Sequence, residues 1–137
     1  MIDFLHKAYM ETTYKVFCGD QNFNLKIDSY NTEFNKWCIE KDINSWAIIT
    51  AFNPFSQEFT KNKNEELNYR LKELILKSGF SFNDAKGIPS DINWDAEESF
   101  FIHNISLKKA QELGVFFEQN AIVYALNNNS KKLIWLV

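Results

Sequence analysis

The spacing of hydrophobic and polar residues along the chain predicts four helices and seven strands. Apolar residues recur at helical spacing in four segments, at residues 2–10, 32–40, 63–78 and 107–117. Strands are predicted at residues 13–18, 23–27, 46–52, 80–83, 100–105, 121–126 and 132–137, with a turn at 127–130 joining the last two. The order αββαβαββαββ has hairpins at both ends. It is typical of an α+β fold with a mixed or mostly antiparallel sheet and helices packed on it.

The segment 46–52 is continuously apolar, as expected of a central strand that is buried on both faces. We expect it to end at Asn53-Pro54, because proline cannot donate to a strand ladder. The helix that follows is predicted to start at an Asn62 cap and to end at Gly79. Its apolar stripe contains Asn64. A buried amide without a partner costs roughly 1–3 kcal/mol, so we expect Asn64 to bind either the backbone or a ligand.

The composition fits one soluble globular domain spanning residues 1–137, with 45% hydrophobic residues and an unusually high aromatic share of 16%. A net charge of −3 and scattered lysines argue against nucleic acid as a partner. No apolar stretch is long enough for a membrane span, and no signal peptide is recognisable, so we expect no membrane association and a cytoplasmic location. Cys18 and Cys38 lack metal-ligand spacing and are interpreted as two lone buried thiols.

None of the standard catalytic, metal-binding or cofactor-binding motifs is present, so we predict no metal and no cofactor. The candidate site residues are polar side chains at the ends of apolar segments, where rigid scaffolds usually hold functional groups. They are Thr50, Asn53 and Ser56; Asn64 and Asn68; Glu97, Glu98 and Ser99; and Gln119 and Asn120. The alternative for each of these residues is helix capping or turn formation. If the protein is a catalyst, Glu98 is the candidate general acid or base.

Several segments together resemble a small bacterial family, domain of unknown function 3293. They are Ala8-Tyr9 with Thr12 or Thr13 and Tyr14; residues 46–56; Asn64, Asn68 and Leu71; Trp94 with Glu98-Ser99; Phe117 with Gln119-Asn120-Ala121; and the terminal Leu-Ile-Trp. Two features depart from the family pattern: Glu118 stands where the family usually has glycine, and the spacing from Trp94 to Glu98 is slightly long. The resemblance implies a bacterial cytoplasmic protein and supplies no activity.

Two functional hypotheses from different classes follow. The first is an interaction or regulatory module, for example a homodimer formed through the surplus aromatic residues, since aromatics are enriched at interface cores. The alternative is a protein or enzyme that binds a small polar ligand, nucleotide-like or amide-like, in a pocket built from Asn53, Asn64, Glu98 and Gln119. Asparagine and glutamine suit such ligands because each amide offers both a donor and an acceptor. We favour the interaction module.

Overall fold

The computed structural model describes residues 2–127 and 130–137. The four helices are α1 (Ile2–Glu11), α2 (Thr32–Glu40), α3 (Lys61–Lys77) and α4 (Leu107–Phe116), and a 3-10 turn spans Pro54–Ser56. The strands are β1 (Thr13–Cys18), β2 (Gln21–Leu25), β3 (Trp46–Ile49), β4 (Phe82–Ile88), β5 (Glu97–His103), β6 (Ala121–Ala125) and β7 (Lys132–Trp135). The predicted order of elements is confirmed. Two residues of the predicted last turn, Asn128 and Asn129, lie outside the described residues.

All seven strands form one antiparallel sheet in the order β2-β1-β4-β5-β3-β6-β7, curled like half a barrel. The α+β class with a mostly antiparallel sheet is therefore confirmed. β3 lies between β5 and β6, with Ile49 opposite Phe100 and Ile48 opposite Val123. Because both pairings are antiparallel, the end of β3 meets the beginnings of β5 and β6.

The sheet is covered on both faces, because successive side chains of a strand point to opposite sides. Trp46 and Ile48 belong to the core on the first face, where they pack with residues of α2. Ala47 and Ile49 belong to the core on the second face, with residues of α3 and α4. Helix α1 adds Tyr9 to the first face. The prediction that β3 is buried on both sides is correct.

Some element boundaries differ from the predictions because side chains and distant strands provide the hydrogen bonds. β3 ends at Ile49 instead of residue 52, since the amide of Ala51 donates to the Asn68 side chain at 2.9 Å and not to a strand. Helix α3 is capped by Thr60, two residues before the predicted cap Asn62. Local sequence favours both residues as caps, and the tertiary structure selects Thr60.

The largest difference is in β4, which was predicted as a short strand at 80–83 followed by a loop at Gly87. The strand instead runs from Phe82 to Ile88, because β1 and β5 pair with it on both sides along most of its length. Strand β5 likewise starts at Glu97, three residues earlier than predicted. These pairings join residues far apart in sequence, and a local pattern does not reveal them.

Both cysteines are free thiols that pack in the first-face core. Cys38 is buried and Cys18 is half-buried. Burial raises the pKa of the Cys18 thiol to about 11 and that of Cys38 to about 12. At neutral pH both are therefore neutral and poorly reactive.

Candidate functional site

The loop after β3 is organised by Asn53. Its backbone amide donates to Oδ1 of Asn64 at 2.8 Å, and the Asn64 amide group donates back to Oδ1 of Asn53 at 2.9 Å. The same Oδ1 accepts the backbone amide of Phe59 at 2.9 Å. The remaining amide group of Asn53 donates to Oε2 of Glu97 at 2.8 Å. Asn64 thus finds the partner that its burial requires within the protein.

This loop has an unfavourable backbone conformation. Asn53, Phe55 and Ser56 all have positive φ, at 50°, 53° and 60°, and the neighbouring Glu118 has φ 56°. A residue other than glycine costs roughly 1–2 kcal/mol in this left-handed region, and asparagine is among the residues that adopt this conformation most readily. Glycine would be unstrained at position 118, unlike glutamate.

The turn at residues 118–120 holds the strained loop from the other side. The backbone amide of Phe55 donates to the Glu118 carbonyl at 2.6 Å, and the Gln119 amide group donates to the Phe52 carbonyl at 3.0 Å. The Asn120 amide group donates to the Ser56 hydroxyl oxygen at 2.7 Å. The side chains of Gln119 and Asn120 therefore hold the loop after β3 in place through hydrogen bonds.

Thr50 and Asn68 connect the end of β3 to the beginning of β5. The Thr50 hydroxyl and the Asn68 amide group both donate to the Glu98 carbonyl, at 2.6 Å and 3.1 Å. Asn68 also accepts the amide of Ala51, so both ends of its buried side chain are occupied. The antiparallel pairing brings these predicted site residues to one end of the sheet. Their role in ligand binding stays a prediction.

The two neighbouring carboxylates of β5 lie on opposite faces of the sheet. Glu97 and Ser99 share the first face with the core residue Phe101, whereas Glu98 shares the second face with Phe100. Glu98 is exposed, and Glu97 is half-buried. The carboxylate that contacts Asn53 is therefore that of Glu97 and not that of Glu98.

Glu97 lines a small cavity on the first face, which we call the Glu97 cavity. Its lining includes Tyr9, Tyr14, Gly87, Glu97, Ser99 and Gln119. The volume is about 80 Å³, enough for a few water molecules or the head group of a ligand, and well below the ~300–1,000 Å³ of a drug-sized site. The walls come from α1 and from every strand except β2.

Gly87 leaves space in the wall of this cavity. It lies directly opposite Tyr14 on β1 and directly opposite Glu97 on β5, so it is the middle residue of a three-residue row across the sheet. Without a side chain at the middle position, the space between the phenol and the carboxylate stays open. A Cβ atom at Gly87 would be 3.7 Å from Cε1 of Tyr14, an ordinary contact distance.

Burial controls the ionisation of the cavity. It raises the pKa of Glu97, and the hydrogen bond from Asn53 lowers it in part. Burial also raises the pKa of Tyr9, an effect that Ser56 reduces and the Glu97 carboxylate increases. The pKa of Tyr14 is raised by burial first, then by Tyr9 and Glu97. Both phenols are therefore neutral hydroxyl groups at neutral pH. Edge-on packing against Trp135, with ring centroids 5.6 Å apart, positions the Tyr9 ring.

Two residues that line the cavity, Glu97 and Gln119, each have a side-chain oxygen without a full set of partners among the described residues. In the described structure the Glu97 carboxylate accepts one side-chain hydrogen bond, from Asn53. Gln119 is 6% exposed and uses its amide nitrogen on two carbonyls, and none of residues 2–127 and 130–137 donates a hydrogen bond to its Oε1. Buried acceptors normally have partners, so these atoms can accept a hydrogen bond from water or from a ligand.

Two larger grooves lie beside the same loops. One, of about 610 Å³, is lined by Asn53, Asn64, Trp94 and Glu98; the other, of about 550 Å³, is lined by Asn68, Glu98 and Ser99 among others. The amide groups at these grooves already bond to the protein. The predicted site residues are thus divided: Thr50, Ser99 and Gln119 line the Glu97 cavity, and Asn53 reaches it through Glu97.

Tyr9, Tyr14 and Gly87 are not among the site residues predicted from the sequence, where Glu98 and not Glu97 is the candidate acid or base. A signal for Glu97 was present: counting back from Phe101 in steps of two places Glu97 and Ser99 on one face. The apolar run begins only at Phe100, so the predicted strand leaves out Glu97, which the observed strand contains. No comparable local signal marks Gly87, whose role depends on its two strand partners.

The fold and site define an antiparallel α+β protein with a partly desolvated carboxylate in a small cavity. The family described as "Protein of unknown function (DUF3293)" matches residues 49–122, from the end of β3 into β6. This is more than half of the chain, and the chain belongs to that family. Comparison with curated proteins and with solved structures gave no match.

Two features are absent from the described ranges. No helix there is long and apolar enough to cross a membrane. No group of three or more His, Cys, Asp or Glu side chains is placed to hold a metal ion.

Proposed function

We propose that the protein binds a small polar ligand in the Glu97 cavity. The observation that carries this proposal is the half-buried carboxylate of Glu97, which accepts one protein hydrogen bond and faces an open space beside two phenols. Withdrawing a charge from water is costly unless it is paired. Perturbed carboxylates in clefts are concentrated at functional sites.

The strained loop supports the same proposal. Asn53 adopts a left-handed conformation and directs its amide group to Glu97, while Asn64, Gln119 and Asn120 hold the loop around it. Backbone strain of this kind is concentrated at functional sites, where surrounding contacts maintain it. The polar residues predicted from the sequence then act mainly as supports, and Glu97 contacts the ligand.

The test is ligand-induced thermal stabilisation with a panel of nucleobases, small amides, sugars and amines. A ligand at about 100 times its Kd stabilises the folded state by about 2.7 kcal/mol. For a chain of this length that is a rise in Tm of roughly 9 °C.

The variant Gly87→Ala should fold normally and strongly weaken the response, because its methyl group takes up part of the space between Tyr14 and Glu97. The matched control Glu98→Gln, on the other face, should respond like the wild type. A response that is undiminished in Gly87→Ala, or a panel without any response, would contradict the proposal.

A second candidate, an interaction or regulatory module, is favoured by exposed aromatic residues next to the loop. Phe116 is 69% exposed and Phe55 is 48% exposed, and the backbone of Phe55 bonds to the turn that follows α4. Aromatic residues are enriched at the cores of protein interfaces. We infer a homodimer as the simplest form of this module, and we place either function in the bacterial cytoplasm, as the family resemblance implies.

Sedimentation velocity at increasing protein concentration separates the two candidates. A dimer that dissociates in Phe116→Ser supports the interaction module. A monomer at all concentrations, together with a ligand response, supports the binding protein alone.

A further inference from the structure

We infer that the Glu97 cavity selects a cationic nitrogen group, such as a protonated primary amine, over neutral groups of the same shape. This inference rests on the proposed function and specifies the chemistry of its ligand. It is carried by the set of acceptors that line the cavity and by the position of the nearest lysine on β4.

The cavity presents hydrogen-bond acceptors to its occupant. Glu97 contributes a carboxylate with one protein donor, and Gln119 contributes an Oε1 without a described partner. The neutral hydroxyl groups of Tyr9 and Tyr14, which interact with Ser56 and Thr12, can accept as well as donate. An ammonium group carries three donors and no acceptor, so it complements this set, whereas a hydroxyl group of similar size offers one donor.

The nearest lysine on β4, Lys86, lies on the other face of the sheet and does not neutralise Glu97. Lys86 precedes Gly87 on β4 and lies directly opposite Glu98 on β5. Lys86 and Glu98 both line the two larger grooves described above, and the alternation of side chains places them on the face opposite Glu97. None of the described residues that line the cavity is a lysine or arginine, so a bound cation would supply positive charge at this carboxylate.

The size and the walls of the cavity also fit a small cationic head group. About 80 Å³ accommodates an ammonium group with a short aliphatic stem, and the rest of a longer ligand would extend through the opening. The aromatic rings of Tyr9 and Tyr14 form part of the wall. The face of such a ring attracts a cation.

The experiment compares ethylammonium chloride with ethanol, which has nearly the same shape and no charge. Each is titrated into the ¹⁵N-labelled protein, and the side-chain amide signals of Gln119 and Asn53 are followed by NMR. Sodium chloride at equal ionic strength is the salt control. Ethylammonium should produce saturable shifts in the wild type and in Glu98→Gln. Glu97→Gln should weaken its binding at least about tenfold, and ethanol should produce no saturable shift.

The pH dependence gives an independent readout. Protons compete with the cation for Glu97, so the affinity for ethylammonium should increase as the pH rises through the pKa of this carboxyl. Tyr9 from α1 and Tyr14 from β1 are the other titratable groups facing it, and both stay neutral because their pKa values are raised. In Glu97→Gln this dependence should disappear.

The outcomes distinguish this inference from the proposed function. Ethanol binding as tightly as ethylammonium, with both strongly weakened in Gly87→Ala, would overturn the cation selectivity and leave the ligand cavity established. Ethylammonium binding that is equally strong in Glu97→Gln would also overturn the selectivity. If neither compound gives saturable shifts while a neutral ligand of the panel does, the selectivity is wrong and the proposed function stands.

Discussion

Replacing Glu97 by glutamine is expected to stabilise the protein at neutral pH. The substitution keeps the shape of the side chain and removes a charge that is partly withdrawn from water. Glutamine retains a carbonyl oxygen that can accept the 2.8 Å hydrogen bond from Asn53. The strained loop therefore keeps its contact with β5, and the desolvation of the carboxylate is relieved.

The expected gain in the free energy of unfolding is modest because Glu97 is only partly buried. A fully buried unpaired ion costs several kcal/mol, and Glu97 is half-buried and already has one donor. We therefore expect a gain of about 1 kcal/mol in the free energy of unfolding. With about 2.1 cal/mol/K of unfolding entropy per residue, this raises the Tm of the 137-residue chain by roughly 3–4 °C.

The direction of the pKa shift determines how the stability difference between Glu97→Gln and the wild type changes with pH. Burial raises the pKa of Glu97 in the folded protein, so the folded state binds this proton more tightly than the unfolded state does. The stability due to this proton is fully present below the ordinary glutamate pKa of about 4.3, and it is lost as the pH rises through the raised pKa. The advantage of Glu97→Gln should thus be small in acid and grow to a plateau above the folded-state pKa.

Thermal unfolding monitored by circular dichroism over a pH series measures this difference directly. Glu98→Gln is the matched control, because the neighbouring carboxylate is exposed on the other face, and its Tm should stay within about 2 °C of the wild type. A Glu97→Gln protein that is less stable than the wild type at neutral pH would refute the reasoning. An advantage that does not change with pH would refute it as well.

Two further predictions concern the supports of the site and its packing. Asn64→Ala should lower the free energy of unfolding by roughly 2–3 kcal/mol in urea denaturation, because a backbone amide of the strained loop loses its acceptor; the exposed Asn62→Ala should change it by less than about 0.5 kcal/mol. Gly114→Ala should cost about 1–3 kcal/mol, since its Cβ would lie 2.4 Å from Cδ1 of Leu136, whereas Gly87→Ala should cause no loss. Equal losses of stability in Asn64→Ala and Asn62→Ala would contradict the role of Asn64 in the loop. Equal losses in Gly114→Ala and Gly87→Ala would contradict the packing described for the two glycines.

Much of the architecture was predictable because its signals are local. The apolar run that became β3, the stripe of α3 and the Ser106 cap of α4 each lie within a few residues. The order of elements followed from them. Antiparallel pairing of β5 and β6 with β3 was the condition under which the polar ends would meet, and the structure has this pairing.

The cavity itself was not predictable, because non-local register creates it. Gly87 was expected in a loop, and its importance lies in standing between Tyr14 and Glu97 on two other strands. The choice between Glu97 and Glu98 depended on where β5 begins, and strand ends are set by the partners that happen to be adjacent. A buried amide side chain such as that of Asn64 suggests a ligand-binding residue in the sequence, yet in the structure it bonds to the loop itself.

The origin of the cavity walls has a consequence for how the protein folds. Tyr9 and Tyr14 come from the first elements of the chain and Leu133 comes from the last strand, whereas the family match covers only residues 49–122. Contacts between the two ends of a chain close the longest loops, and such contacts form late and slowly. The cavity should therefore be among the last features to assemble during folding. Ligand affinity would then report the completion of the whole sheet, and a fragment limited to the matched segment would lack the tyrosine wall.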